Sequence, residues 1–363
     1  MMKKICLVGG EDAYKRINLS KYLIDAGFSV TILGTGTVKF PDFITYVPYK
    51  LNRNFAPISD YKTMKWYKQF FKNNTFDVIH TFDTKPAFLV PLALLKTKTP
   101  VTRTITGLGK IFMSKNISNL IYRTIYVIMH LIVKKRVYKT IFQNNDDKNI
   151  YLKNKLVNTS NYSMVLSSGI ELKNIRQRAS RNNEVFTFIC VSRLVYEKGI
   201  LNVLEAARIC SNKGYNFNYK LVGPLEENSK RLNQKILDSY KDIVETLGQR
   251  SDIIDLLLKS DAFLLPTFGE GFPRVLLEAA AVGLPIISTN VSGVREFASQ
   301  ENLALIIEPN DTRGLAEAMI AMATNKTMTN TLVKNSLIHV EKFSLENISK
   351  QYITIFNNSI DAA

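Results

Sequence analysis

Two glutamates, Glu270 and Glu278, stand eight residues apart in the stretch PTFGEGFPRVLLEAAAVGLPIIST, residues 266–289. A carboxylate pair at that spacing is common and carries little weight alone. Here Gly271, Phe272 and Pro273 follow the first glutamate directly, and Ala279, Ala281, Gly283 and Pro285 follow the second. Pro273 suits the first turn of a helix, where its missing N–H would be unpaired anyway. The helix after it would point its free N–H groups and positive dipole end at the preceding loop, a setting for an anion. A carboxylate beside an anion site makes sense when the ligand also offers hydroxyls. A nucleotide sugar has both features, a diphosphate and many hydroxyl groups.

The elements that must hold these side chains are legible around them. The run Asp261 to Leu265 reads as a buried strand, Thr267 to Gly271 as a small-residue loop, and Arg274 to Ala281 as a helix of strong formers. Gly283 and Pro285 stop that helix, and Ile286 to Thr289 is the next strand. Strand, loop, helix, strand is the order of a parallel α/β sheet. Upstream, residues 3–8 are a strand ending in Gly9-Gly10, followed by a helix from about Tyr14 to Ala26 and a strand from Ser29 to Leu33. Phe76 to His80 and Pro100 to Ile105 are further strands. They end in the polar loops Thr81, Asp83, Lys85, Pro86 and Thr106-Gly107-Leu108-Gly109. Ligands of open α/β sheets bind at such carboxyl ends. There is no G-x-G-x-x-G, so no dinucleotide fingerprint is assigned.

The central stretch resembles the retaining glycosyltransferases of family 4. Their E-x7-E motif lies in a segment reading roughly P-S-x-x-E-G-F-P-x-x-x-L-E-A-M-A-x-G-x-P-V-I-x-T. Thr267 stands for the usual Ser and Ala280 for the usual Met. The resemblance covers essentially the whole chain and implies a GT-B fold: α/β, with two Rossmann-like domains facing each other across a cleft. It assigns residues 1–169 to an acceptor-binding domain and 170–343 to a nucleotide-sugar-binding domain. Residues 344–363 would be a C-terminal helix returning to the first domain. Glu270 would contact donor-sugar hydroxyls and Glu278 the ribose. The loop Ser192-Arg193-Leu194-Val195-Tyr196-Glu197-Lys198-Gly199 resembles the family's S-R-L-x-x-x-K-G, whose Arg and Lys bind the donor diphosphate. The chemistry suits phosphoryl oxygens, with Arg as a fork and Lys as a point charge. Gly223, Arg250, Gly271, Phe272 and Pro273 complete the donor site that the resemblance implies. Arg193, Lys198 and Glu270 form the catalytic set, the cations neutralising charge on the leaving diphosphate. The usual D-G-x-N-G turn is replaced by Gln300-Glu301-Asn302-Leu303-Ala304, a reshaped loop.

In the first half, H-T-F-D-T-K-P and T-I-T-G-L-G-K-I-F resemble a subgroup that extends sugars on undecaprenyl diphosphate. That likeness places Gly9, Gly10, His80, Lys85, Thr106, Gly107 and Lys110 in the acceptor site. Many members carry a donor-contacting His where Thr106 stands. The implied reaction moves a sugar, expected to be an N-acetylhexosamine, from a UDP-sugar to a lipid-linked saccharide with retention. The partners are then the donor, the undecaprenyl-diphosphate-linked acceptor and an anionic membrane surface, with no nucleic acid. A UDP-sugar epimerase or hydrolase of the same fold is the near alternative. A basic nucleic-acid-binding protein is the distant one, though no stacking aromatics sit in a recognised binding motif.

Composition narrows the classes further. Of the formal charge of +17, residues 1–170 account for all, with 26 Lys+Arg against 9 Asp+Glu, while residues 171–363 balance at 22 against 22. A one-sided excess suits a polyanionic surface. Residues 115–139 are apolar with Lys115, Arg123, Lys134, Lys135, Arg136 and Lys139 on or beside them. They read either as a core helix or as a helix lying on anionic membrane, the four cations from Lys134 to Lys139 sharing in docking. No run reaches the roughly 18 apolar residues of a spanning helix, and Ile5 to Val8 is too short for a signal peptide. The expected location is cytoplasmic, peripheral on the cytoplasmic face of the inner membrane. Cys6, Cys190 and Cys210 read as buried thiols. Only three His, far apart, leave no metal-ligand cluster, so no metal or other cofactor is expected.

Overall fold

Short apolar runs ended by glycine or polar turns become strands buried on both faces, as parallel sheets require. The structure, a computed structural model, describes all residues except 1, 53, 109–111, 113–116, 179–184 and 227–230, with backbone alone at 117 and 118. The chain divides into two compact units, Met1–Gly169 with Leu345–Ala363, and Ile170–Ser344.

The first unit runs β1 (Lys3–Val8), α1 (Ile17–Asp25), β2 (Phe28–Gly34), β3 (Thr45–Pro48), α2 (Pro57–Asn73), β4 (Val78–Thr81), α3 (Pro86–Ala93), β5 (Val101–Ile105), α4 (Ile117–Val133), β6 (Val137–Phe142), α5 (Asn145–Lys153) and β7 (Tyr162–Met164). Among the described residues its strands form one parallel sheet, ordered β3-β2-β1-β4-β5-β6-β7. The second unit runs β8 (Phe186–Val191), α6 (Ile200–Asn212), β9 (Phe217–Val222), α7 (Gln234–Asp238), β10 (Val244–Thr246), α8 (Ile253–Leu258), β11 (Ala262–Leu265), α9 (Arg274–Val282), β12 (Ile286–Thr289), α10 (Ser292–Phe297), β13 (Leu305–Ile307), α11 (Thr312–Thr324) and α12 (Lys326–Val340). Its parallel order is β10-β9-β8-β11-β12-β13. The last helix, α13 (Leu345–Asp361), packs in the first unit against α1, β4 and β6, burying Ile348, Tyr352 and Phe356.

Several boundaries differ from the sequence reading for local reasons. The helix expected from Tyr14 begins as a 3-10 turn, Glu11–Arg16, because the Gly10 carbonyl accepts from Ala13 and Thr35 N–H groups. The strand β3 and helix α2 have no counterpart in that reading. α2 is placed by Pro57 at its first turn and by the aromatics Trp66, Tyr67, Phe70 and Phe71 packing beneath the sheet. Of residues 115–139, Lys115 lies outside the described residues, and the helix that follows has one side in the core. α4 buries Tyr126, His130 and Val133, leaves Leu120, Ile121, Ile128, Leu131 and Ile132 exposed, and gives way to a 3-10 turn at Lys134–Arg136. The four-cation cluster expected there is divided. Arg136 donates to the Leu94 carbonyl at 2.7 Å and to Thr97 Oγ1 at 3.0 Å, and Lys139 to the Ser160 carbonyl at 3.0 Å. Two of its members therefore hold backbone and do not stand free for docking. All three cysteines are buried free thiols.

Candidate active site

Parallel sheets bind ligands where the strand order reverses, because the loops on either side of that point part and leave a crevice. In the first sheet the reversal lies between β1 and β4; in the second it lies between β8 and β11. The loops leaving those four strands carry most of the residues singled out by sequence.

In the second unit, the loop after β8 brings Arg193 and Lys198, and the loop after β11 brings Glu270. Lys198 and Glu270 form a salt bridge with both side chains mostly shielded from water. Backbone bonds stitch the two loops together: Phe268 N–H donates to the Glu197 carbonyl at 2.9 Å, and Thr267 Oγ1 donates to the same carbonyl at 3.3 Å. Gly199 adopts φ +69°, and a Cβ there would lie 1.9 Å from the Pro266 carbonyl oxygen. Gly223, at φ +144°, is similarly required: a Cβ would meet the Ser192 carbonyl oxygen at 1.8 Å. Its identity is thus explained by close approach of its own strand end to the Arg193 loop. The Glu270 carbonyl accepts from Ser292 Oγ and Gly293 N–H, both at 3.3 Å, so α10 fixes the backbone of the first glutamate.

Pro273 is the N-cap of α9 and not its first residue, and no side chain caps that end. The Leu276 N–H in that first turn donates to the Pro273 carbonyl at 3.2 Å. Glu278, on the same helix, pairs with Arg274 at 3.1 Å. Gly271 and Phe272 lie in the loop between, with the Phe272 ring 5.1 Å from Phe343. Arg193 is exposed and pairs with Glu226. Arg250 is exposed and chelates Asp252 through two 2.8 Å bonds, an arrangement confined to its own turn.

In the first unit, Gly9 and Gly10 leave β1 and Asp83 leaves β4. Asp83 sits at φ +68° and accepts the Gly10 N–H at 2.8 Å, while Tyr49 Oη donates to the Gly9 carbonyl at 2.7 Å. A cavity of about 360 Å³ opens here, lined by Gly10, Glu11, Asp12, Asp83, Lys85 and Thr106 among others. Gly107 follows Thr106 at φ +135°. Lys85 does not stand free: it bonds Asp60 Oδ1 and the Asn54 carbonyl, each at 2.6 Å. Lys110 falls outside the described residues.

His80 must be corrected. The acceptor role expected of it is excluded by its burial, which is complete. Its ring nitrogens bond the hydroxyls of Thr102 at 2.7 Å and Thr104 at 2.9 Å, and Phe82, Tyr352 and Phe356 surround it. Burial, aided by the Arg16 charge, holds its pKa well below the usual histidine value. It is a neutral core residue.

Three contributors were missed from sequence. Glu226 partners Arg193 from 33 positions away, and no local pattern joins them. Asp83 was named only as part of a polar loop; its carboxylate just past the end of a strand, in H-T-F-D-T-K-P, was the available signal. Asp147, at the start of α5, accepts the Leu108 N–H next to Thr106-Gly107, and burial raises its pKa to about 6. Its signal is a capping pattern: Asn144 Oδ1 accepts the Asp147 N–H at 2.8 Å. Among the described residues no three His, Cys, Asp or Glu side chains gather as a metal site. The reshaped Gln300 to Ala304 turn contributes to a separate cavity of about 280 Å³ with Asn335, His339 and Lys342, away from these loops.

Comparison with known proteins agrees with this layout. Residues 4–144 match the family model described as Glycosyl transferase 4-like, and residues 172–337 match Glycosyl transferases group 1. The Escherichia coli UDP-Gal:alpha-D-GlcNAc-diphosphoundecaprenol alpha-1,3-galactosyltransferase is 28% identical over 304 residues, 80% of this chain and 77% of that protein. The Campylobacter jejuni N,N'-diacetylbacillosaminyl-diphospho-undecaprenol alpha-1,3-N-acetylgalactosaminyltransferase is 24% identical over 328 residues, 86% of each. Among solved structures, sucrose-phosphate synthase from Thermosynechococcus elongatus superposes with a TM-score of 0.84 at 18% identity, covering 99% of this chain and 100% of that one. Anabaena HepE in complex with UDP gives 0.77 at 15% identity, covering 98% and 100%. The fold class is that of the GT-B glycosyltransferases. Both halves of the chain thus match glycosyltransferase domains, and the chain is a hexosyltransferase.

Proposed function

We propose that the protein transfers a hexose or N-acetylhexosamine from a UDP-sugar, held by the second unit, to a saccharide linked to undecaprenyl diphosphate. The observation that carries this reading is the Lys198–Glu270 pair at the β8/β11 reversal, with Arg193 on the same loop. Phosphoryl oxygens take Arg and Lys, and sugar hydroxyls take carboxylates. Glu270 keeps Lys198 in the crevice and accepts from a donor-sugar hydroxyl; Glu278 takes the ribose. As the bond between the anomeric carbon and the diphosphate oxygen breaks, Lys198 and Arg193 offset the charge that develops. The acceptor oxygen attacks from the same face, and its proton passes to the departing diphosphate, so configuration is retained. Protein cations do this work, and no metal is required.

The acceptor saccharide is assigned to the first-unit cavity, whose carboxylates Glu11, Asp12 and Asp83 suit hydroxyl donors better than a diphosphate. Support for a lipid-linked acceptor comes from the named substrates of the two relatives. The protein then works peripherally at the cytoplasmic face of the inner membrane. Among the described residues no helix is long and apolar enough to cross one. The glycosyltransferase matches favour this reading of the basic half over a nucleic-acid one. The test is a screen of UDP-sugars with purified protein and undecaprenyl-diphosphate-linked acceptors, read by mass spectrometry in excess chelator. A one-sugar mass gain is expected. Turnover of the donor without acceptor, or activity only on adding Mn²⁺ or Mg²⁺, contradicts the proposal.

A further inference from the structure

A helix that is apolar on most sides is normally covered on most sides. α4 is not. Its residues contain no Asp or Glu, and its sequence is ISNLIYRTIYVIMHLIV. One side enters the core through Tyr126, His130 and Val133. The opposite side carries Ile121, Ile128 and Ile132, which are 56%, 50% and 52% exposed, with Leu120 and Leu131 beside them. Ile121, Ile128 and Ile132 are spaced to fall on one stripe of a helix. Exposed apolar groups of this extent mark an interaction surface.

The stripe is extended at its N-terminal end. Exposed Phe55 lies beside Tyr122, with ring centroids 5.6 Å apart, and Ile58 and Tyr61 follow it on the first turn of α2. At the C-terminal end the surroundings are cationic. Lys135 is exposed, and Arg136 ties down the loop bearing exposed Leu95, Lys96 and Lys98 through its bonds to Leu94 and Thr97.

We infer that this stripe lies in the plane of a bilayer containing anionic lipid, with Lys96, Lys98 and Lys135 at the headgroups. The inference rests on the lipid-linked reading of the acceptor and gives it a surface. Charge selects the occupant. A second copy of a unit whose first 170 residues hold 26 Lys+Arg against 9 Asp+Glu would bring like charges together, whereas anionic lipid brings opposite ones. An apolar face edged by Lys is the pattern of a helix that rests in an interface. The cations that matter are therefore not the set read from sequence: Arg136 and Lys139 hold backbone, and the Lys96–Lys98 loop takes their place.

The test is sedimentation with vesicles of phosphatidylglycerol and phosphatidylcholine, against phosphatidylcholine alone. The protein should sediment with the first and much less with the second. Ile128→Glu/Ile132→Glu should abolish sedimentation, and Lys96→Glu, Lys98→Glu and Lys135→Glu should each weaken it about fivefold. Turnover on a water-soluble short-chain acceptor should be unchanged in all of them, since none lies at either crevice. An Ile128→Trp variant gives a readout without added charge: its fluorescence should be quenched by brominated lipid. Sedimentation of the double variant equal to that of the parent, or absence of quenching, overturns the inference. So does a dimer in light scattering that the double substitution dissociates. Absent turnover on every acceptor with sedimentation intact would instead contradict the proposed function.

Discussion

The two units repeat one architecture and put opposite chemistry at the same topological place. At the β8/β11 reversal, Lys198 pairs with Glu270 in loops stitched by backbone bonds, and Arg193 stands exposed on the same loop beside Glu226. At the β1/β4 reversal, the cavity is lined by Glu11, Asp12 and Asp83, and Lys85, its one lysine among the described residues, is committed to Asp60. The first unit is nonetheless the basic one by sequence. Net charge describes the surface a unit meets; only the residues at a switch point describe the ligand it holds.

The largest way to break that contrast is in the second unit. Lys198→Ala should lower kcat by about 10²–10³, the cost of removing one preorganised charge donor. The fold should survive with a lowered melting temperature, because Glu270, largely shielded from water, loses its partner. Steady-state kinetics with unchanged turnover would remove Lys198 from the mechanism. Next, Asp83→Asn should raise the acceptor KM about tenfold, since the amide oxygen can still accept the Gly10 N–H but the loss of charge weakens a hydroxyl acceptor by about 1.4 kcal/mol. UDP affinity should not move. A donor effect as large as the acceptor effect would erase the distinction between the crevices.

Smaller effects sharpen it. His80→Ala should cost about 2–4 kcal/mol of stability, from a cavity and two orphaned threonine hydroxyls, with no change in acceptor KM. His80 and His130 are held neutral in the fold by burial, so the unfolded chain takes up more protons below about pH 6.5. Their contribution is present above that pH and is lost as pH falls through it, which a series of melting curves will reveal. Asp147 has the opposite sign. Its folded pKa of about 6 lies above the ordinary value of 3.8, so it costs stability as pH rises through that window. Asp147→Asn should therefore gain in melting temperature relative to the parent at pH 7 and not at pH 4. Arg250→Ala should leave the melting temperature where it is, as its pair with Asp252 is exposed. A raised donor KM in that variant would return Arg250 to the donor site.

Legibility followed the range of the interactions. The strand-loop-helix around Glu270 was readable because Pro273, Gly283 and the strand Ile286–Thr289 are local signals. What a side chain does once placed was not. His80 and Lys85 looked alike as polar residues near a strand end. One proved to be sealed beneath α13, whose Tyr352 is 272 positions away, and the other clamped to Asp60 on α2. Glu226 was invisible because its partner is distant and no spacing rule links them. The basic segment near Lys134 misled because backbone carbonyls of another loop consume Arg136.

The central claim is that the donor diphosphate is held at the β8/β11 reversal alone. Isothermal titration with UDP tests it most directly, on the parent protein, Arg193→Ala/Lys198→Ala and Asp83→Asn. The account predicts saturable binding to the parent, binding weakened at least about 100-fold in the Arg193/Lys198 variant, and binding to Asp83→Asn equal to that of the parent. UDP binding that survives in the first variant and fails in the second would contradict it.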